Sequence, residues 1–283
     1  MEIDWFDLFS TLLQIAVVAF AVIKIVPQMR RSGNSVVLVF LLYAFVCLLL
    51  SDIYWISLGV VHPDERLPFS ISDVADIGEQ LMLASALGVI FRGIKCRKRL
   101  ELFLTIVASI GLIVLWVVWT EEWTKNILGG ISYGYLIFMV VLAAKKTNAF
   151  SRREAIVVWC VSFVCLVLSY PLRWELVEAQ LIQSIFFYTP MLILTIWFFY
   201  KSIVAVRVIM KTKENRMENA RRAIAVSTST LIWIRCSAYV SDGLPFTVFD
   251  FANTLIIPFI LFSVLYHERV RLEEARMEGG AAV

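Results

Sequence analysis

The chain has 283 residues, 60% of them hydrophobic, with a mean hydropathy of +0.81 and nine Trp. These values lie far from those of a soluble domain of this length. The formal net charge of +3 sums two opposed surfaces and gives no reason to expect a nucleic-acid partner.

A bilayer span needs about 20 mostly apolar residues. Nine stretches meet that need: 6–26, 36–60, 70–92, 102–119, 126–144, 155–171, 183–209, 223–241 and 246–266. The predicted fold class is an all-α integral membrane protein of about nine transmembrane helices, one helix followed by four helical hairpins. The first span follows a few acidic residues, with neither a basic segment nor a small-residue cleavage site, and reads as a retained helix. Residues 1–267 are expected to form a single polytopic membrane domain and 268–283 a short cytoplasmic tail, leaving no room for a soluble catalytic or output domain.

The connecting segments sort by charge. Segments within 24–31, 92–99, 145–153, 201–222 and 269–276 hold 22 of the 26 Lys and Arg. The alternate segments hold Arg66, Lys125 and Arg173 beside ten acids, among them Asp64, Glu121, Glu122 and Glu175. The positive-inside rule then places the N-terminus outside and the C-terminus in the cytoplasm. Short loops and a compact architecture suit the inner membrane of a bacterium, so the plasma membrane is the expected location and the lipid bilayer the first partner.

The outer turns are short and rich in Pro and Trp, and Trp suits the headgroup layer. Two share a phrase: Leu67-Pro68-Phe69-Ser70 followed by Asp73 and Asp76, and Leu244-Pro245-Phe246-Thr247 followed by Asp250. Pro fits a first helical turn, where its missing N–H would be unpaired anyway, and Ser70 or Thr247 is placed to cap the helix near its start. Two helix starts using one capping solution explain the likeness; a duplicated hairpin is the alternative.

Ionisable residues inside the spans point to function, because a charge near the bilayer centre is costly and usually faces a protein interior or wet cavity. Asp52 lies in the second span, about ten residues before the outer turn that follows it. In the third span Asp73, Asp76 and Gln80 fall on one helical face with Glu79 at its edge. Hairpin geometry brings Asp52 towards the level of Glu79 and Gln80, with Tyr54 and Trp55 flanking it. The candidate ligand-binding set is therefore Asp52, Asp76, Glu79, Gln80, Tyr54 and Trp55; close carboxylates favour protonation of one of them. Asp73 and Asp76 also suit the helix N-terminal dipole without further role.

Arg235 is the one base buried deep in a span, away from the basic span ends, and Asp250 lies at matching depth on the next helix. The two form a predicted structural ion pair or gate, with Thr228, Ser229, Thr230 and Asn253 adding hydroxyl and amide groups on the same hairpin. Other features read as packing: the GxxxG from Gly130 to Gly134, and Pro190 and Pro258, expected to kink helices seven and nine. Gln14 and Gln183 are polar groups whose partners the sequence does not identify. The five Cys are scattered and suit small apolar packers. With His62 and His267 alone, no intramembrane metal cluster is expected, and no HExxH, GxSxG, Walker A or CxxC motif occurs. No cofactor and no catalytic residue are assigned.

Pro27-Gln28-Met29-Arg30-Arg31, then Ser35, Phe40, Tyr54-Trp55 and Gly59, resembles one PQ-loop unit of small-solute transporters; no second Pro-Gln follows. The outer turns ending Pro-Phe-Ser or Pro-Phe-Thr, with Ser72-Asp73-Val74-Ala75-Asp76 leading into an apolar helix, resemble the multi-pass membrane sensor modules of bacterial histidine kinases and diguanylate cyclases. That resemblance implies a sensory role. With no output domain after His267, it also implies signalling through a separate protein partner. The preferred reading is a stand-alone sensory or accessory membrane module that responds to a small ligand, cation or proton at an outward-facing acidic site. Alternatives are a secondary transporter or channel for a proton-coupled or cationic solute, and an intramembrane carboxylate-dependent enzyme.

Overall fold

The computed structural model describes residues 5–33, 35–61, 70–92, 99–100, 102–103, 106–107, 110, 123–162, 164–165, 187–241 and 243–280. Among these the chain is helical, with no strand. Eight helices have defined extents: α1 Trp5–Arg31, α2 Val36–Val61, α3 Ile71–Ile90, α4 Trp123–Lys146, α5 Arg152–Ser162, α6 Thr189–Lys211, α7 Arg216–Tyr239 and α8 Gly243–Gly280.

Five of these are long and apolar enough to cross a membrane: Leu8–Arg31, Val36–Leu58, Ile127–Lys146, Thr189–Lys211 and Gly243–Met277. Helices α3 and α7 have the length, but α3 carries Asp73, Asp76 and Glu79, and α7 carries Arg216, Glu218, Arg221, Arg222 and Arg235. Their polar and charged content, not their length, separates them from the five. Most of the expected span 102–119 and the end of 155–171, residues 166–171, lie outside the described residues. The chain is thus an all-α protein with several membrane-length apolar helices. Their outward faces agree with this: α1 buries Val18, Ala21 and Ile25 yet exposes Phe9, Leu12, Phe20 and Ile23. A helix in water segregates its apolar residues to one face; here both faces are apolar, as lipid contact requires.

The chain divides into two compact units, 1–146 with 268–283, and 147–267. In the first unit, α1, α2, α3 and α4 pack in succession. Its interior is aliphatic, with Leu38, Leu41, Leu87 and Leu136 almost fully buried. Gly78 allows the close approach of α3 to α2, since a Cβ there would stand 3.1 Å from Cys47 Sγ. Lys146, the last residue of α4, donates to the carbonyl of Phe91 just past α3 (2.8 Å), satisfying an acceptor that the helix end leaves open. The end of α8 also belongs here. Ser35, the residue before α2, donates to the fully buried Glu268 (2.5 Å), which pairs with Arg271 at 2.8 Å.

In the second unit, α6 and α7 are joined by hydrogen bonds of hydroxyl and indole groups. Trp233 Nε1 donates to Thr195 Oγ1 (2.9 Å), and Ser202 and Thr230 share a bond of 2.9 Å. Phe198 stacks on Trp233 with centroids 6.0 Å apart. Lys201 of α6 pairs with Glu154 of α5. Pro190 is the second residue of α6, and helical backbone already precedes it at Phe187 and Tyr188; residues 183–186 of the expected span lie outside the described residues. Helix α8 starts at Gly243, whose φ of +56° suits glycine, and continues through Pro258 to Gly280. Its uninterrupted course past residue 267 carries His267, Glu268 and Val270 in buried positions.

Candidate functional site

The polar groups of the first unit arise on helices that are otherwise apolar. Asp52 of α2 is 8% exposed, and Gln14 of α1, also buried, donates Nε2 to both of its carboxylate oxygens at 3.0 and 3.2 Å. An amide offers hydrogen bonds without a counter-charge, so this contact offsets part of the desolvation of Asp52 but does not neutralise it. Gln14, whose partner the sequence left open, is therefore part of the site.

The start of α3 uses the expected capping residues. The Ser70 backbone N–H and hydroxyl both donate to Asp73 Oδ2, at 2.8 and 3.0 Å. This satisfies a donor at the helix start and places negative charge at the positive end of the dipole. The matching phrase on α8 behaves differently: Thr247 lies within the first turn and donates back to the Gly243 carbonyl (3.1 Å). It does not cap, because α8 begins four residues earlier, at Gly243.

Further along α3, Asp76 is half-buried, while Glu79 and Gln80 are 3% and 5% exposed. Gln80 accepts a hydrogen bond from the Ser132 hydroxyl of α4. Ser132 lies inside the GxxxG segment, so that segment supplies a polar contact as well as small residues. Glu79 and Asp76 act electrostatically on the Cys47 thiol, which Gly78 approaches. Asp52 stands five residues beyond Cys47, about 7 Å along the axis of α2. In the antiparallel α2–α3 pair, that direction leads towards the Ser70–Asp73 cap. The acidic residues thus form a column along α2 and α3, Asp52 towards one end and Glu79 deeper. Tyr54 is half-buried; Trp55 is 69% exposed and presents its indole away from the packed helices.

In the second unit, Arg235 Nε of α7 donates to Asn253 Oδ1 of α8 at 3.0 Å. Asn253 lies one turn from Asp250 on the same face, and Arg235 and Asp250 are both half-buried. Thr228, Ser229 and Thr230 donate to carbonyls three or four residues earlier, at 2.7–3.3 Å. Such back-bonds satisfy a hydroxyl in an apolar setting without a second helix. Thr230 alone of the three also bonds across to α6.

Among the described residues, no group of three or more His, Cys, Asp or Glu is arranged to hold a metal ion. What the arrangement offers chemically is a buried carboxylate, Asp52, that accepts from the amide of Gln14, with the buried Glu79 and the half-buried Asp76 on the neighbouring helix. Sequence reasoning missed Gln14, Ser132 and the Ser35–Glu268–Arg271 group. The available signal was that a lone polar residue in an apolar span needs a partner on another helix. Compared with protein-family models, with curated proteins and with solved structures, the chain finds no match.

Proposed function

We propose that this chain is a stand-alone sensory or accessory module of the plasma membrane. It crosses the bilayer about nine times, N-terminus outside and C-terminus in the cytoplasm. It responds to a proton, a cation or a small ligand at an outward-facing acidic site built from Asp52, Asp76 and Glu79, with Gln80 and Tyr54 beside them and Trp55 at the lipid edge. It passes the change to a separate signalling protein. The observation that carries this reading is the burial of Asp52 in an apolar helix, held by the amide of Gln14. Between Val36 and Val61 the chain has no basic residue. Protonation or cation binding is the inexpensive way to keep such a carboxylate in a low-dielectric interior.

The test uses purified protein in lipid vesicles, with Trp fluorescence followed from neutral to acid pH and during addition of monovalent and divalent cations. Asp52→Asn and Glu79→Gln are expected to fold normally and to flatten that titration. Two amide variants that titrate like the parent would remove the acidic-site reading, while solute flux into the vesicles would favour a transporter. The orientation has its own check. Cysteines placed at Asp64 or Glu121 react with an impermeant reagent from outside, and those at Lys146 or Lys213 do not; the reverse pattern overturns the topology.

A further inference from the structure

The linked ends of α6 and α7 hold a concentration of positive charge. Between residues 207 and 222 lie Arg207, Lys211, Lys213, Arg216, Arg221 and Arg222, against Glu214 and Glu218. Most of these bases are exposed, as a solvated surface requires. Two are not. Arg216 is anchored: its Nε donates to the Tyr266 hydroxyl at 3.1 Å, and its guanidinium stands 5.7 Å from the centre of that ring. Arg221 is half-buried between the fully buried Ala220 and Ala223, and its Nε, out of reach of solvent, has no hydrogen-bond acceptor among the described residues.

An arginine cannot shed its proton to escape burial, and an unsatisfied buried donor costs as much as a lost hydrogen bond. Its N–H groups lie in a fixed plane that matches the oxygens of an oxyanion in pairs. Arg222, next in sequence and exposed, and Lys211 and Lys213 at the end of α6 add further positive charge. That excess favours a phosphate over a singly charged carboxylate. We propose that Arg221 is the centre of a phosphate-binding site at the linked ends of α6 and α7, with Arg222, Lys211 and Lys213 supplying the surrounding field. The ligand is a phosphate group, borne either by an anionic phospholipid or by a soluble molecule. The site lies in the second unit and does not depend on the acidic column of α2 and α3.

The full chain, purified in neutral detergent, is melted with added inorganic phosphate in one arm. In the other it is melted in phosphatidylcholine nanodiscs with and without phosphatidic acid. A ligand that binds only the folded chain raises its melting temperature. Stabilisation by phosphatidic acid alone assigns the site to a lipid headgroup, and stabilisation by both assigns it to phosphate in general. Arg221→Gln is expected to weaken the apparent affinity at least tenfold, the loss of one charge-assisted bond. Arg221→Lys, which keeps the charge and loses the planar fork, is expected to weaken it several-fold and serves if the Gln variant does not fold. Arg269→Gln, an exposed residue bonded to Glu273, serves as the control for general charge. No stabilisation in either arm overturns the proposal, as does equal stabilisation of the parent and the Arg221 variants.

Discussion

The two units place polar side chains in apolar surroundings by different means. In the first, the buried polar groups include carboxylates, and their partners come from other helices: Gln14 for Asp52 and Ser35 for Glu268. In the second, several are hydroxyls that return to carbonyls of their own helix, as Thr228, Ser229 and Ser241 do. A hydroxyl satisfied within its helix costs little and is indifferent to how the helices rotate. A carboxylate satisfied from a neighbouring helix ties its energy to the packing of both. At Asp52 a change of protonation or of helix position therefore alters the balance, whereas at Thr228 or Ser241 it does not. Arg235 is the charged exception, held by an amide on the next helix, beside the neutral bonds of Trp233 to Thr195 and of Ser202 to Thr230 that join α6 and α7.

That exception gives the largest expected effect. Arg235→Leu or Asp250→Leu leaves the other charge in an apolar setting, at a cost of about 3 kcal/mol, the lower end of the range for breaking a buried pair because both residues are half-buried. The double variant is expected to recover part of the loss in folded yield and melting temperature. Additive losses would show that the two do not act as a pair, and the second unit would then hold its charge through Asn253 alone.

A smaller effect is expected at the first unit's own contact. Gln14→Leu removes two donors from Asp52, at a cost of about 1–3 kcal/mol. That loss should shrink as the pH falls, because a protonated Asp52 no longer requires the donors. Denaturant unfolding at neutral and acid pH measures it. A pH-independent loss would make the contact one of shape, like the hydroxyl contacts of the second unit.

The smallest effect tests the surface of the second unit. Burial raises the affinity of Glu154 for its proton, but hydrogen bonds from Lys201 and from the Ser151 N–H and hydroxyl outweigh it and hold the carboxyl below its ordinary value of 4.5. Because the folded value is depressed, the pair contributes stability above the ordinary value and loses it as the pH falls through the lowered one. Both side chains are more than a quarter exposed, which limits the contribution to about 0.2–1 kcal/mol. Glu154→Gln should therefore melt slightly lower than the parent at neutral pH and equally at strongly acid pH. A difference that persists in acid would point to packing and not charge.

Much of the helical framework was legible beforehand. The stretches 36–60 and 126–144 match α2 and α4 closely, since a span's length and apolar content are local properties. The cap at Ser70 and Asp73 was legible for the same reason: its groups lie within four residues. The parallel expectation for Thr247 failed because the helix boundary moved to Gly243, whose left-handed backbone starts α8 before the proline. Of the candidate site, the burial of Asp52, Glu79 and Gln80 follows from their place in apolar helices. The outward direction of Trp55 does not, because it depends on the rotation of α2 about its axis.

The sequence by itself determined that the chain is helical, which segments have membrane length, and which carry the polar and charged residues that set α3 and α7 apart from the five most apolar helices. These are sums over neighbouring residues, and hydropathy and helix capping act at that range. Only the tertiary structure decided that Gln14 meets Asp52 across 38 residues and Ser35 meets Glu268 across 233. It also decided that Gly78 admits Cys47 and that Arg221 turns a donor inward. Such contacts depend on the rotation and register of each helix against its neighbours. Those are set by the packing of many apolar side chains together, and no local stretch of sequence contains them.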